Sequence, residues 1–255
     1  MIFLDFEASS LSDASYPVEV GWCDHALTKG WSAIIKPHSA WREWGAGAEQ
    51  LHGLSRERVE RDGLPLAEVI ARLNADLAGE EIVSDNPEWE RFWLGHLAAA
   101  AGVLPTFTVT EVDFEAVLTA AIQQAEVGAP DVLLVKLLQR DVGIRPHRAL
   151  DDAIGNALRL GQVAVLALHD QQGPEAADQF RQRLVRSAKR LLDLHGRDAF
   201  LANTARFVDA NDAVLKAGVK DVLDHMNGSG GFLMDGFHDC LANTQGKSQE
   251  DDDVD

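Results

Sequence analysis

The chain reads as an α/β layer fold, on two observations. Three short apolar runs open the sequence, at residues 1–8, 16–23 and 30–36, with turn-rich Ser12-Asp13-Ala14-Ser15 and Thr28-Lys29-Gly30 between them. Downstream, apolar residues at helical spacing alternate with two further strand-like runs. The first run carries Asp5 and Glu7 two residues apart, so alternation along a strand puts both side chains on one face. Two like charges so close repel each other and resist burial. A divalent cation is the most economical compensator, and an edge strand with one wet face is the alternative.

The remaining elements follow in order. The three opening runs predict an antiparallel meander. From Pro65, Leu66, Val69, Ile70, Leu73 and Leu77 line one face of a helix, with Gly79 as its stop. A strand over 81–84 runs into Asp85-Asn86-Pro87, which reads as a cap with proline in the first turn, followed by Trp89, Trp93, Leu94 and Leu97 at helical spacing. Residues 107–112 read as a fifth strand and 132–140 as a helix. The next helix is expected to start near Pro146-His147 and to run through Ala153, Ile154, Ala157 and Leu158 to Gly161. After about His169 the strand signal vanishes. Residues 174–195, 198–208 and 211–226 read as helices, ahead of Gly228-Ser229-Gly230-Gly231 and an acidic end. The expected division is a domain over 1–169, a helical extension over 170–242 and a solvated tail over 243–255.

Composition narrows the function classes. With 255 residues and 46% hydrophobic content the chain can bury a substantial core. A formal charge of −18 argues against a protein that coats duplexes by neutralising phosphates. It does not exclude a nucleic-acid substrate, because carboxylates loaded with metal ions present local positive charge to a phosphate. No apolar run approaches the ~18 residues needed to cross a bilayer, and no basic leader precedes the first strand, so a cytoplasmic protein is expected. Cys23 and Cys240 match no metal-binding spacing and are expected as reduced thiols.

Sorted by predicted position, the acidic groups form three clusters: Asp5 with Glu7, Asp85 with Glu90, and His147 with Asp152. Five residues on a helix rotate a side chain by a net angle of about 140°, from ~100° per residue. His147 and Asp152 therefore share a face only if His147 precedes the first full turn, which Pro146 favours. Asp151 is expected to face solvent and His52 to be structural.

Asp5-Phe6-Glu7, the Asn86/Glu90 segment, and His147 with Asp152, in that order, resemble the three exonuclease motifs of the DnaQ-like superfamily in its DEDDh branch. Leu51-His52-Gly53-Leu54-Ser55 ahead of Pro65 is similar to a His-Gly-Ile-Thr stretch common in those enzymes. The resemblance covers residues 1 to about 165. It departs at the second motif, where such families place Asp after an aromatic and this chain has Trp89-Glu90. The extra methylene reaches ~1.5 Å further. Register favours Glu90, with Asp85 as a neighbouring contributor.

The resemblance implies an RNase H-like fold, a mixed five-stranded sheet flanked by helices, with a C-terminal helical extension. It implies a 3′-5′ exonuclease that hydrolyses single-stranded nucleic acid, DNA favoured, to nucleoside monophosphates with two metal ions. Asp5, Glu7 and Asp152 would be direct ligands, Glu90 or Asp85 would complete the set, and His147 would be the general base. Hard oxygen ligands select Mg2+ or Mn2+. Ala8, Ser9, Ser10 and Leu11 would touch the terminal nucleotide. Two alternatives stay open: an exoribonuclease acting on RNA ends or short oligoribonucleotides, and a catalytically weak nucleic-acid-binding or partner-docking module. A homodimer or protein partner could engage the helical extension. The tryptophans at 22, 31, 41, 44, 89 and 93 read mainly as packing residues, with Trp41 and Trp44 best placed for substrate. Arg183, Arg186 and Arg190 share a helical face opposite Leu184, Ala188, Leu191 and Leu192. That face either guides a nucleic-acid strand or is simply solvated.

Overall fold

Residues 1–195 are described by the computed structural model, and the helices expected over 198–208 and 211–226, Cys240 and the acidic tail lie outside the described residues. The first three strands, β1 (Ile2–Ala8), β2 (Pro17–Asp24) and β3 (Gly30–Ile34), form the antiparallel meander that their turn spacing predicts. Two parallel strands, β4 (Ile82–Ser84) and β5 (Val109–Asp113), complete a mixed sheet of order β3-β2-β1-β4-β5. This is the RNase H-like arrangement. Asp5 and Glu7 thus sit on the central strand, and the wet edge-strand alternative fails.

Eight helices flank the sheet among the described residues: α1 (Ala46–His52), α2 (Arg56–Asp62), α3 (Leu66–Leu77), α4 (Pro87–Ala101), α5 (Phe114–Ala125), α6 (Val132–Val142), α7 (Ala149–Gln172) and α8 (Pro174–His195). Helices α1, α2 and α5 have no counterpart in the periodicity reading. Helix α5 starts where the Asp113 carboxylate accepts the Ala116 N–H, a side-chain cap directly behind β5.

Helix α7 does not end at Gly161. That glycine lies under α8, where a Cβ would come 2.7 Å from Leu184 Cδ1, so its missing side chain serves close helix packing rather than termination. The helix runs on past residue 169 to Gln172, and α8 folds back against it. As its spacing predicts, α8 buries Leu184, Ala188, Leu191 and Leu192 and leaves Arg183, Arg186 and Arg190 exposed.

The two faces of the sheet divide the core. Ile2, Leu4, Phe6, Val20 and Trp22 pack with Val69, Ile70 and Leu73 of α3 and Leu94 and Leu97 of α4. Phe3 and Cys23 pack on the other face with Ala153, Ile154, Ala157 and Leu158 of α7. In the β1–β2 ladder, Phe3 stands opposite Cys23, Asp5 opposite Gly21 and Glu7 opposite Glu19. Strand alternation therefore places all six under α7. Helix α7 comes closest at Gly21, where a Cβ would lie 2.1 Å from the Leu150 backbone nitrogen. Only glycine admits the helix there, and that contact sets its first turn beside Asp5 and Glu7. Among the described residues, no helix is long and apolar enough to cross a membrane.

Candidate active site

Three structural accidents of backbone bring the acidic groups together. Strand β4 has three residues and pairs with β1 only at Ile2 and Phe3, so the β4-facing edge of β1 is open from Leu4 onward. Asp85 follows β4 directly, and α4 begins at Pro87, so Glu90 lies in the first turn of a helix that starts at that opening. The Phe6 backbone beside Glu90 works against the rise in that carboxylate's proton affinity. Glu90 is 2% exposed, and its Oε2 has no hydrogen-bond partner. Asp5 Oδ2 is likewise buried and unpartnered.

The third group comes from the loop before α7. His147 sits two residues ahead of the helix in a left-handed backbone conformation, φ 62°. Its N–H donates to Asp152 Oδ2 at 2.8 Å, which meets the geometric condition for the pair to share a face. Ligand atoms of Glu7, His147 and Asp152 all lie within 4.8 Å of one another. Asp151 does not face solvent as expected. It is 3% exposed because the loop folds back over the first turn, where its carboxylate accepts the Arg145 N–H at 2.8 Å.

Charge on these groups is strained. Burial, followed by Glu90, Glu7, Asp152 and Asp85, raises Asp5 well above the usual carboxylate range. Burial also raises Glu90, with Asp85 and Glu7 adding to it. Glu7 is pushed up to about 9 by burial, then by Asp152 and Glu19, with Arg148 opposing. Asp152 rises to about 7, chiefly through burial and against the pull of the His147 N–H. Asp85 is exposed, yet it acts on Asp5, Glu7, Glu90 and Asp152. Such a set resists ionisation in isolation and is relieved by a cation. The unpartnered oxygens of Asp5 and Glu90 fit that role, and the all-oxygen carboxylate set with one imidazole fits a hard divalent ion.

Of the residues after Glu7, Ala8 and Ser9 are buried. The Ser9 hydroxyl accepts the Tyr16 N–H at 3.2 Å, and its carbonyl accepts the Gly45 N–H, so its side chain is committed to the fold. Ser10 is half-buried and Leu11 is 74% exposed, which narrows the side chains available to a ligand from four to these two. His52 is structural: its Nδ1 accepts the Leu54 N–H at 3.0 Å, and burial lowers its proton affinity. Trp41 stacks on Tyr16 with ring centroids 4.9 Å apart, and Trp44 donates from Nε1 to Glu49. Trp22, Trp31 and Trp93 are core residues.

Two residues beside the site were not singled out in the sequence, Glu19 and Arg148. They form a buried ion pair joining β2 to the start of α7. The available signal was Glu19-Val20-Gly21: once the meander is paired, alternation puts Glu19 on the face of Asp5 and Glu7.

No protein-family model matches the sequence, and no curated protein matches it. Solved structures do. Exonuclease I of E. coli in complex with a dA16 oligonucleotide matches 70% of this chain and 42% of its own, with 14% identity and a TM-score of 0.49. A moderately thermophilic exonuclease I from Methylocaldum szegediense matches 70% of this chain and 42% of its own, with 16% identity and a TM-score of 0.48. The nuclease domain of 3′hExo, a DEDDh family member bound to rAMP, matches 68% of this chain and 92% of its own, with 13% identity and a TM-score of 0.43. The chain thus spans about two fifths of the exonuclease I chains and nearly all of the 3′hExo domain. By strand order and crossover, the chain has an RNase H-like fold.

Proposed function

We propose that this chain is a metal-dependent 3′-5′ exonuclease acting on single-stranded nucleic acid, DNA favoured, and releasing nucleoside monophosphates. The observation that carries the reading is the convergence of Asp5, Glu7, Glu90 and Asp152 with His147, from three separate stretches, around buried carboxylate oxygens that have no protein partner. Asp5, Glu7, Asp152 and Glu90, with Asp85 alongside, would hold Mg2+ or Mn2+. When bound, these ions supply the positive charge that stabilises attack at a phosphodiester and departure of its leaving oxygen.

The protein's own groups do the rest. His147 is exposed beside Glu7 and Asp152 and takes the proton of the attacking water, a task suited to an imidazole. Asp152 orients it through the His147 backbone. Ser10 and Leu11 flank the end of β1 and position the terminal nucleotide. A cleavage panel of single-stranded DNA, duplex DNA and RNA, labelled at either end and run with Mg2+, tests the reading. Stepwise loss from the 3′ end that disappears in Asp5→Ala and His147→Ala is the expected result. Wild-type cleavage by either variant overturns it.

A further inference from the structure

Glu19 and Arg148 lie behind the carboxylate cluster. Their side chains are 3% and 14% exposed, and they meet through Arg148 Nε at 2.9 Å from Glu19 Oε2 and a second contact from Nη2 to Oε1. Glu19 Oε2 also accepts the Ala149 N–H at 3.1 Å. Arg148 is the N-cap residue of α7 and makes no side-chain cap of its own, so an acceptor from another element supplies one.

The loop is held at alternate residues. Asp151 accepts the Arg145 N–H, Asp152 the His147 N–H and Glu19 the Ala149 N–H. Two of these anchors belong to α7 and travel with it. Glu19 ties the loop to the sheet, at the position directly opposite Glu7 in the β1–β2 ladder. Gly21 admits the helix but exerts no directional hold. A bidentate guanidinium–carboxylate fork does, because it fixes orientation as well as distance.

We propose that the Glu19–Arg148 pair is a positioning device that holds His147 and Asp152 in register with Glu7. The proposal rests on reading that cluster as a hydrolytic metal site. It assigns neither residue to contact with substrate or metal; both act through the loop. A displacement of about 1 Å at a catalytic group is enough to cost on the order of 100-fold in rate.

Two variants of the full chain test it. Glu19→Gln keeps an acceptor for Ala149 and removes the charge, while Arg148→Lys keeps the charge and removes the fork. Each is measured for kcat and KM on a labelled oligonucleotide, for thermal unfolding, and for Mn2+-induced broadening of the His147 ring proton, assigned from the His147→Gln spectrum. The expected result is a kcat lowered ~10–100-fold with KM within about twofold, and a weakened His147 broadening although Mn2+ still binds. Wild-type kcat and broadening in both folded variants overturn the proposal. Where Glu19→Gln does not fold, Arg148→Lys decides. Absence of nuclease activity in the wild type sinks the exonuclease reading alone. The broadening then decides the positioning role, its weakening upholding it and its persistence overturning it.

Discussion

His147 carries a left-handed backbone, φ 62°, which for a residue with a side chain costs about 1–2 kcal/mol. The fold tolerates that strain at the one position where the imidazole must stand beside Glu7 and Asp152. His147→Asn, whose side chain suits this conformation, is therefore expected to melt at or above the wild-type temperature while losing ~100-fold or more of cleavage. A clear fall in melting temperature would contradict the strain argument. The second-motif carboxylates differ in the same way. Glu90 is buried with an unpartnered oxygen and Asp85 is exposed, so Glu90→Gln should lose ~100-fold in activity and Asp85→Asn only ~10-fold. Equal losses in paired assays would remove the ranking. At this scale the sequence was largely readable, since carboxylates and a histidine in fixed order announce themselves. Asp151 was misread because helical position alone cannot reveal a loop folding back to offer the Arg145 N–H. The Ser9 hydroxyl's tie to a backbone group seven residues away was equally invisible in the sequence.

Among the elements, α7 is decisive, because it carries both Asp152 in the site and a run of one core face from Leu150 to Val165. Its seat on β2 leaves no room at Gly21, where the nearest atoms to an added Cβ are backbone and cannot rotate away. Gly21→Ala is thus expected to destabilise by ~3 kcal/mol or more, read as a lowered denaturant midpoint. A midpoint equal to wild type would show that the helix can shift freely. Strand periodicity and the proline-marked starts of α3 and α4 were legible because each is encoded in a short window of sequence, although Asn86 makes no side-chain cap as the Asp85-Asn86-Pro87 reading expected. The length of α7 was not. A glycine in a helical pattern signals termination locally, and only the neighbouring α8, with Leu184 lodged against Gly161, gives it another meaning. Helices α1 and α2, of seven residues each, leave little periodic trace. Helix α5 does carry one, with Phe114, Val117, Leu118, Ala121 and Ile122 at helical spacing, and was overlooked.

For the molecule as a whole, the buried carboxylates make folding depend on pH and on cations together. Glu7, at about 9, and Asp152, at about 7, bind protons more tightly in the folded chain than in the unfolded one. The stability they contribute is complete below their ordinary range, near pH 4, and is lost as pH rises through about 7 and then about 9. In EDTA the melting temperature should fall steadily from pH 5 to pH 9, and Mg2+ or Mn2+ should flatten that slope. A slope unaffected by either ion in parallel melts would deny a cation at this cluster. Helix α7 adds a mechanical asymmetry. Its 24 residues form a rod of ~36 Å pivoting on Gly21, with Asp152 only about 3 Å beyond the contact at Leu150 and the far end over 30 Å away. That is a lever whose short arm carries the chemistry, so a 1 Å tilt at the α8 end reaches Asp152 as ~0.1 Å. Leu184→Ala should accordingly lower the melting temperature while kcat stays within about twofold, leaving the distal half of the helix free to vary without touching the reaction.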